Sequence, residues 1–146
     1  MHKVAPQIEE NISIPILHIA DATAERLREN GINKVGLLGT RFTMEQDFYK
    51  TRLVEKYGID VIIPEESERE DIHAIIYNEL CLGAIKENSR KRYLKVIENL
   101  AASGAEAVIL GCTEIALLVQ QNHTTTPLYD TTEIHAEQAV RQALMI

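Results

Sequence analysis

The chain has 146 residues, 45% of them hydrophobic, and this length suits the core of one ordinary domain. Its formal net charge of −7 argues against nucleic acid or an anionic membrane surface as a partner, because both attract basic proteins. The sequence opens without a charged, apolar leader, contains no run long enough to span a membrane and has no C-x-x-C pair, so we expect a cytoplasmic protein with reduced thiols.

Short apolar runs alternate with amphipathic stretches along the chain. We predict strands at residues 12–19, 34–38, 59–64, 107–110 and 127–129. We predict helices at residues 3–11, 21–30, 44–57, 69–82, 88–103 and 132–145, with a short helix that starts at 113. Asp21 and Asp130 are predicted N-caps, and the acidic residues 65–71 a surface loop. Alternating strands and helices favour an α/β fold, a parallel sheet with helices on both faces.

The segment 107–118 is the clearest strand-to-helix junction in the sequence. Four apolar residues between Gly104 and Gly111 predict a buried strand, and Cys112 lies in the turn that follows. A helix N-terminus favours thiolate over thiol, which makes Cys112 a candidate reactive cysteine. The alternative is that Cys112 is a small apolar residue that fills a turn. Cys81 falls in a predicted helix rich in Ile and Leu, and we expect it in the core.

Polar residues follow several of the predicted strands. Ligands of open parallel sheets bind beyond the carboxyl ends of the strands, where these residues are expected to share one rim. The rim residues are Asp21, Gly39, Thr40, Gly111, Cys112, Thr113, Asp130, Thr131 and Thr132. Gly39 and Thr40, with Thr43, can bind a carboxylate or phosphate through N–H and hydroxyl groups, but they also fit a simple helix cap. The histidines form no cluster with spacing typical of a metal site, so we predict none.

Three motifs occur in order along the chain: G-L-L-G-T-R-F-T at residues 36–43, V-I-L-G-C-T-E-I at 108–115 and D-T-T-E-I-H-A at 130–136. They resemble the G-x-x-G-T-x-x-T segment, the second cysteine signature and the closing D-T-x-x-H-A element of the aspartate/glutamate racemase family, the cofactor-independent amino-acid racemases. The resemblance extends from end to end of the chain. Glutamate racemases typically have His after the Cys-Thr pair, so Glu114 makes this chain more similar to aspartate or broad-specificity racemases.

The resemblance implies a two-cysteine reaction without pyridoxal phosphate or a metal. One cysteine from each of two α/β domains faces the substrate, and one removes the α-proton while the other returns a proton to the opposite face. By resemblance, Cys112 is one of these two groups, and Thr40 and Thr113 bind the carboxylates of a small amino acid. Thr43 and Glu114 are second choices for orienting the thiol or the ligand. The resemblance also suggests a homodimer.

The start of the sequence departs from the family pattern. Residues 1–5 resemble the tail of the first cysteine signature, C-x-N-T-M-H, so we expect residues 1–33 and 127–146 to be remnants of the first domain. Residues 34–126 are expected to be the second domain. Without a covering layer, apolar residues of the last helix should be exposed. They are Ala136, Ala139, Val140, Ala143 and Leu144.

Three functions are consistent with these patterns. The first is an amino-acid racemase, with the activity of this short chain still to be tested. The second is a single-cysteine lyase of the same superfamily, similar to the arylmalonate decarboxylases, although Thr113 and Glu114 are unusual after the cysteine of such enzymes. The third is a non-catalytic remnant, or a half that binds a separately made first domain.

Overall fold

The apolar runs of the two central strands organise a parallel four-stranded sheet. The computed structural model describes residues 2–145. The strands are β1 (Lys34–Leu38), β2 (Asp60–Ile62), β3 (Ala107–Leu110) and β4 (Leu128–Asp130), and their order across the sheet is β2-β1-β3-β4. All three strand pairs are parallel. The predicted α/β fold, a parallel sheet with helices on both faces, is confirmed.

Helices connect the strands and cover the sheet. They are α1 (Ala5–Glu9), α2 (Ile19–Glu29), α3 (Arg41–Glu45), α4 (Asp47–Thr51), α5 (Glu66–Asn78), α6 (Glu87–Ala102), α7 (Ile115–Leu118) and α8 (Thr131–Leu144). Short 3₁₀ turns occur at His2–Val4, Leu80–Leu82 and Gln121–His123, and Arg52–Lys56 is π-helical. Within residues 2–145, no helix combines the length and the apolar character that crossing a membrane requires.

The sheet separates two apolar layers. Alternate residues of β3 point to opposite faces, so Ile109 packs with α2, α8 and the π-helical segment, while Val108 packs with α5, α6 and α7. Both side chains are fully buried. This burial on two faces explains why the strand is a continuous apolar run rather than an alternating one.

The predicted strand at 12–19 is wrong. Residues 12–18 are irregular, and α2 already begins at Ile19. A strand needs a neighbour for its backbone hydrogen bonds, and the sheet of the described residues offers none to this segment. The predicted N-cap Asp21 is also wrong, because His18 caps α2: its Nδ1 accepts from the N–H of Ala20 at 3.0 Å.

Two predicted segments, one before and one after the edge strand β2, differ in detail from the structure. The helix predicted at 44–57 consists of α3, α4 and the π-helical segment, with extended backbone at Gln46 between the first two. Most of the predicted acidic loop 65–71 is the first turns of α5. Glu65 caps this helix and Glu68 completes a capping box, which turns acidic residues into a helix start.

Cys81 is not in the core, contrary to the prediction. Helix α5 ends at Asn78, and Cys81 lies exposed in the 3₁₀ turn Leu80–Leu82, which ends at Gly83. The five apolar residues predicted to be exposed on the last helix are exposed, and Leu144 keeps 80% of its accessible surface. Met1, where the expected remnant of the first signature begins, and Ile146 lie outside the described residues.

Candidate active site

Strand register brings the carboxyl ends of three strands into line. Leu38 pairs with Leu110 across β1 and β3, and Leu110 pairs with Asp130 across β3 and β4. Thr40 and Cys112 each come two residues after a paired strand end. The structure therefore places the two turns at the same edge of the sheet.

The turn between β3 and α7 holds the candidate reactive thiol. Cys112 is half-buried against the apolar layer that contains α5, α6 and α7. Its Sγ donates a hydrogen bond to Oε2 of Glu114 at 2.8 Å. The thiol thus has an acceptor from its own turn, two residues along the chain.

This setting favours the thiol over the expected thiolate. Burial, and after it the neighbouring Glu114 carboxylate, raise the pKa of Cys112 to about 12. Helix α7 begins only at Ile115 and has four residues, so Cys112 lies outside its first turn and the helix supplies little dipole. In this arrangement Cys112 is a protonated acid.

Glu114 is the electrostatic counterpart of the thiol. Hydrogen bonds from the Cys112 thiol and the Thr113 hydroxyl lower the pKa of Glu114, so its carboxylate is ionised at neutral pH. Thr113 itself is exposed on the same turn. A protonated thiol beside an ionised carboxylate can give a proton to a carbanion and regain one through the carboxylate.

Two glycines let the Thr40 turn and the Cys112 turn approach closely. The N–H of Gly111 donates to the carbonyl of Leu38 at 2.7 Å, and a Cβ on Gly111 would lie 2.7 Å from that oxygen. A Cβ on Gly39 would lie 2.9 Å from Cβ of Thr43, and one on Gly111 would lie 3.3 Å from Cγ2 of Thr43. Thr43 therefore packs between the two turns.

Thr40 acts as a helix cap in this structure. Its Oγ1 accepts from the N–H of Thr43 at 3.4 Å, and the two hydroxyl oxygens are 3.3 Å apart. Capping leaves each hydroxyl with further hydrogen-bonding capacity, so the cap and a carboxylate site are compatible. The structure brings Thr40, Thr43 and the Cys112 turn together, as the motifs predicted.

Other predicted rim residues have structural partners. The carboxylate of Asp21 accepts two hydrogen bonds from Arg52, at 2.6 and 2.8 Å, and one from Lys56 at 2.7 Å. Burial alone would raise the pKa of Asp21, but these hydrogen bonds hold it well below its usual range. Asp130 caps α8 by accepting from the N–H of Thr132 at 3.0 Å, and Thr131 donates to Leu110.

Sequence reasoning missed the contribution of α5 to this rim. The N–H of Arg41, the residue after Thr40, donates to Nδ1 of His73 at 3.0 Å. The rings of Phe42 and Tyr77 flank His73 at centroid distances of 6.3 and 4.7 Å. A signal was present, since positions 73 and 77 are four apart on one helical face, but which face turns toward the rim depends on tertiary packing.

Comparisons with known proteins agree with the fold and the motifs. The family model for Asp/Glu/Hydantoin racemase matches residues 1–139. A crystal structure of a candidate Asp/Glu racemase from Yersinia pestis is 55% identical, with a TM-score of 0.95 over 99% of this chain and 63% of that one. An aspartate racemase homologue from Pyrococcus horikoshii OT3 is 34% identical, with a TM-score of 0.89 over 97% of this chain and 62% of that one.

A sequence relative gives the same assignment. A glutamate racemase from Sodalis glossinidius is 31% identical over 127 residues, which are 84% of this chain and 41% of the relative. The chain thus spans less than two thirds of these three relatives. With the family model matched over nearly the whole chain, this protein belongs to the Asp/Glu/Hydantoin racemase family.

Proposed function

We propose that this chain supplies one half of an amino-acid racemase site, of the aspartate or broad-specificity type, in which Cys112 transfers a proton at Cα. The observation that carries the proposal is the Cys112 thiol beyond the carboxyl end of β3, with its Sγ 2.8 Å from Glu114. Racemisation needs a second acid–base group on the other face of the substrate. By the family resemblance, that group is a second cysteine on another domain, and this chain spans 63% and 62% of the two structural relatives.

The proton inventory of the half-site is simple. When Cys112 acts as the acid, its S–H bond breaks and a C–H bond forms at the carbanionic Cα, which leaves a thiolate. The thiolate is the base for the reverse step, in which it takes the α-proton. Thr40 and Thr113 hold the α-carboxylate, Thr43 fixes the Thr40 turn, and Glu114 orients the thiol and keeps it protonated until the carbanion forms.

The raised pKa of Cys112 makes this residue better suited to proton return than to proton removal. A thiol with a pKa of about 12 is a ready donor only to a strong base, and an α-carbanion is such a base. Proton return therefore needs no prior ionisation of this residue. Proton removal by the same residue proceeds through its small thiolate fraction, so exchange is expected to be slow and to become faster as the pH rises.

Hydrogen exchange in heavy water tests this proposal. The chain is incubated with L-aspartate and with D-aspartate, and loss of the Cα proton signal and change in chirality are followed by NMR and chiral chromatography. We expect exchange that depends on Cys112 and disappears in Cys112→Ala. Inversion of both enantiomers would indicate a complete site, exchange of a single enantiomer a half-site, and no exchange of either would contradict the proposal.

A second candidate is a single-cysteine lyase, which the protonated resting thiol favours. Decarboxylation of a malonate leaves a carbanion that one thiol can protonate, without an opposing base. Release of carbon dioxide from phenylmalonate, absent in Cys112→Ala, would support this reaction. Its absence together with aspartate exchange would favour the racemase half-site.

A further inference from the structure

Helix α5 and the turn after it bridge the two turns of the candidate site. At one end, the N–H of Arg41 beside Thr40 donates to Nδ1 of His73 at 3.0 Å. At the other end, the turn Leu80–Leu82 packs against α7, directly after the Cys112 turn. The helix axis between these ends is about 10 Å long. This part of α5, the α5 wall, therefore lies alongside both the Thr40 turn and the Cys112 turn.

His73 presents a free hydrogen-bond donor on this wall. Because Nδ1 accepts from Arg41, the neutral ring carries its proton on Nε2. Within residues 2–145, Nε2 has no hydrogen-bond partner, and it is not among the buried side-chain atoms without partners, so it reaches solvent. Phe42 and Tyr77 flank the ring and keep 57% and 50% of their accessible surface.

We propose that His73 binds the side-chain carboxylate of a dicarboxylic amino acid and so determines the substrate class of the site. The inference rests on the proposed function, in which Thr40 and Thr113 hold the α-carboxylate and Cys112 lies near Cα. The Nε2–H group then donates to the second carboxylate at the α5 wall. A hydrogen bond to this carboxylate is charge-assisted, which makes it stronger than a hydrogen bond to a neutral acceptor.

The charged groups near His73 do not attract an anionic ligand strongly, so binding of the second carboxylate is assigned to the N–H of His73. The guanidinium of Arg41, the residue whose backbone N–H donates to His73, lies 3.6 Å from Glu45 and 3.4 Å from Glu70. Two carboxylates therefore balance that cation. An anionic substrate gains little from Arg41, and preference for a second carboxylate depends on the N–H of His73.

Binding measurements test the inference without requiring turnover. The 15N-labelled full chain is titrated with L-aspartate, D-aspartate and L-asparagine, and the dissociation constants are taken from amide shifts. We expect His73→Phe, which keeps a ring and removes the donor, to weaken binding of aspartate about tenfold or more and binding of asparagine, whose amide oxygen is a neutral acceptor, by a clearly smaller factor. His73→Gln keeps an acceptor and a donor and is expected to retain the preference within about threefold.

His123 provides a matched control. Its Nδ1 also accepts a backbone N–H, from Gln120 at 3.0 Å, but it lies beside the carboxyl-terminal half of α6, away from the rim. We expect His123→Phe to change neither dissociation constant.

The outcomes separate this inference from the proposed function. Aspartate binding that depends on His73 supports the inference even when no Cα exchange is found. Cα exchange combined with an unchanged preference in His73→Phe overturns the inference and leaves the function standing. A wild-type chain that binds neither aspartate enantiomer, or a His73→Phe variant that loses aspartate and asparagine equally, also overturns it.

Discussion

The two cysteines of this chain lie close enough for their charges to interact, yet their settings are opposite. Cys112 follows a central strand, is half-buried and donates to a carboxylate, whereas Cys81 is exposed on a 3₁₀ turn. A charge on Cys81 contributes in the same direction as Glu114 to the raised pKa of Cys112. The difference shows that position at the sheet edge, rather than accessibility of the sulfur, distinguishes the candidate reacting group.

The glycines beside the two cysteines should differ most in their tolerance of a side chain. A Cβ on Gly111 would lie 2.7 Å from a backbone oxygen, so we expect Gly111→Ala to lower the free energy of unfolding by about 3 kcal/mol. A Cβ on Gly83 meets nothing within 4 Å, and its φ of 76° alone predicts a loss of about 1 kcal/mol for Gly83→Ala. Urea denaturation measures both, and equal losses would contradict the tight packing of the Cys112 turn.

The rate of alkylation should distinguish the two thiols. Because its pKa is raised to about 12, Cys112 should react with iodoacetamide at pH 8 about a hundredfold more slowly than an ordinary exposed cysteine. Its rate should rise about tenfold per pH unit through pH 10. Cys81, which is exposed, should be labelled first. Peptide mass spectrometry measures each site, with urea-unfolded protein as the control, and rapid labelling of Cys112 in the folded chain would refute this description.

Removing the Glu114 carboxylate should change the labelling rate of Cys112 by a smaller factor. In Glu114→Gln, the charge that raises the pKa of Cys112 is lost while burial remains, so labelling of Cys112 at pH 8 should accelerate about tenfold. Glu98→Gln, which changes an exposed carboxylate on α6, is the matched control and should leave the rate unchanged. A rate that stays the same in Glu114→Gln would mean that burial alone governs the thiol.

Much of the fold could be predicted because its signals are local. Four apolar residues between glycines predict β3, and Asp130 before a helical pattern predicts the cap of α8. The strand predicted at 12–19 is wrong because a strand depends on a partner strand, which sequence periodicity does not reveal. The predicted burial of Cys81 is wrong because helix α5 ends three residues before it.

The candidate site could be placed from sequence, but its electrostatics could not. The motifs predict that the Thr40 and Cys112 turns meet, and strand register places them at one edge. The protonation of Cys112 depends on where α7 begins and on the direction of the Glu114 side chain, two features that require coordinates. The same holds for His73, whose helix lies against the rim only through tertiary contacts.

Exchange of the aspartate α-proton in heavy water, compared between Cys112→Ala and Cys81→Ala, determines which thiol transfers the proton. We expect it to be the half-buried thiol beside Glu114 and not the exposed one. We predict that Cys112→Ala lowers the exchange rate at least about a hundredfold and that Cys81→Ala retains it. Exchange that survives in Cys112→Ala, or that is lost in Cys81→Ala, would contradict the account.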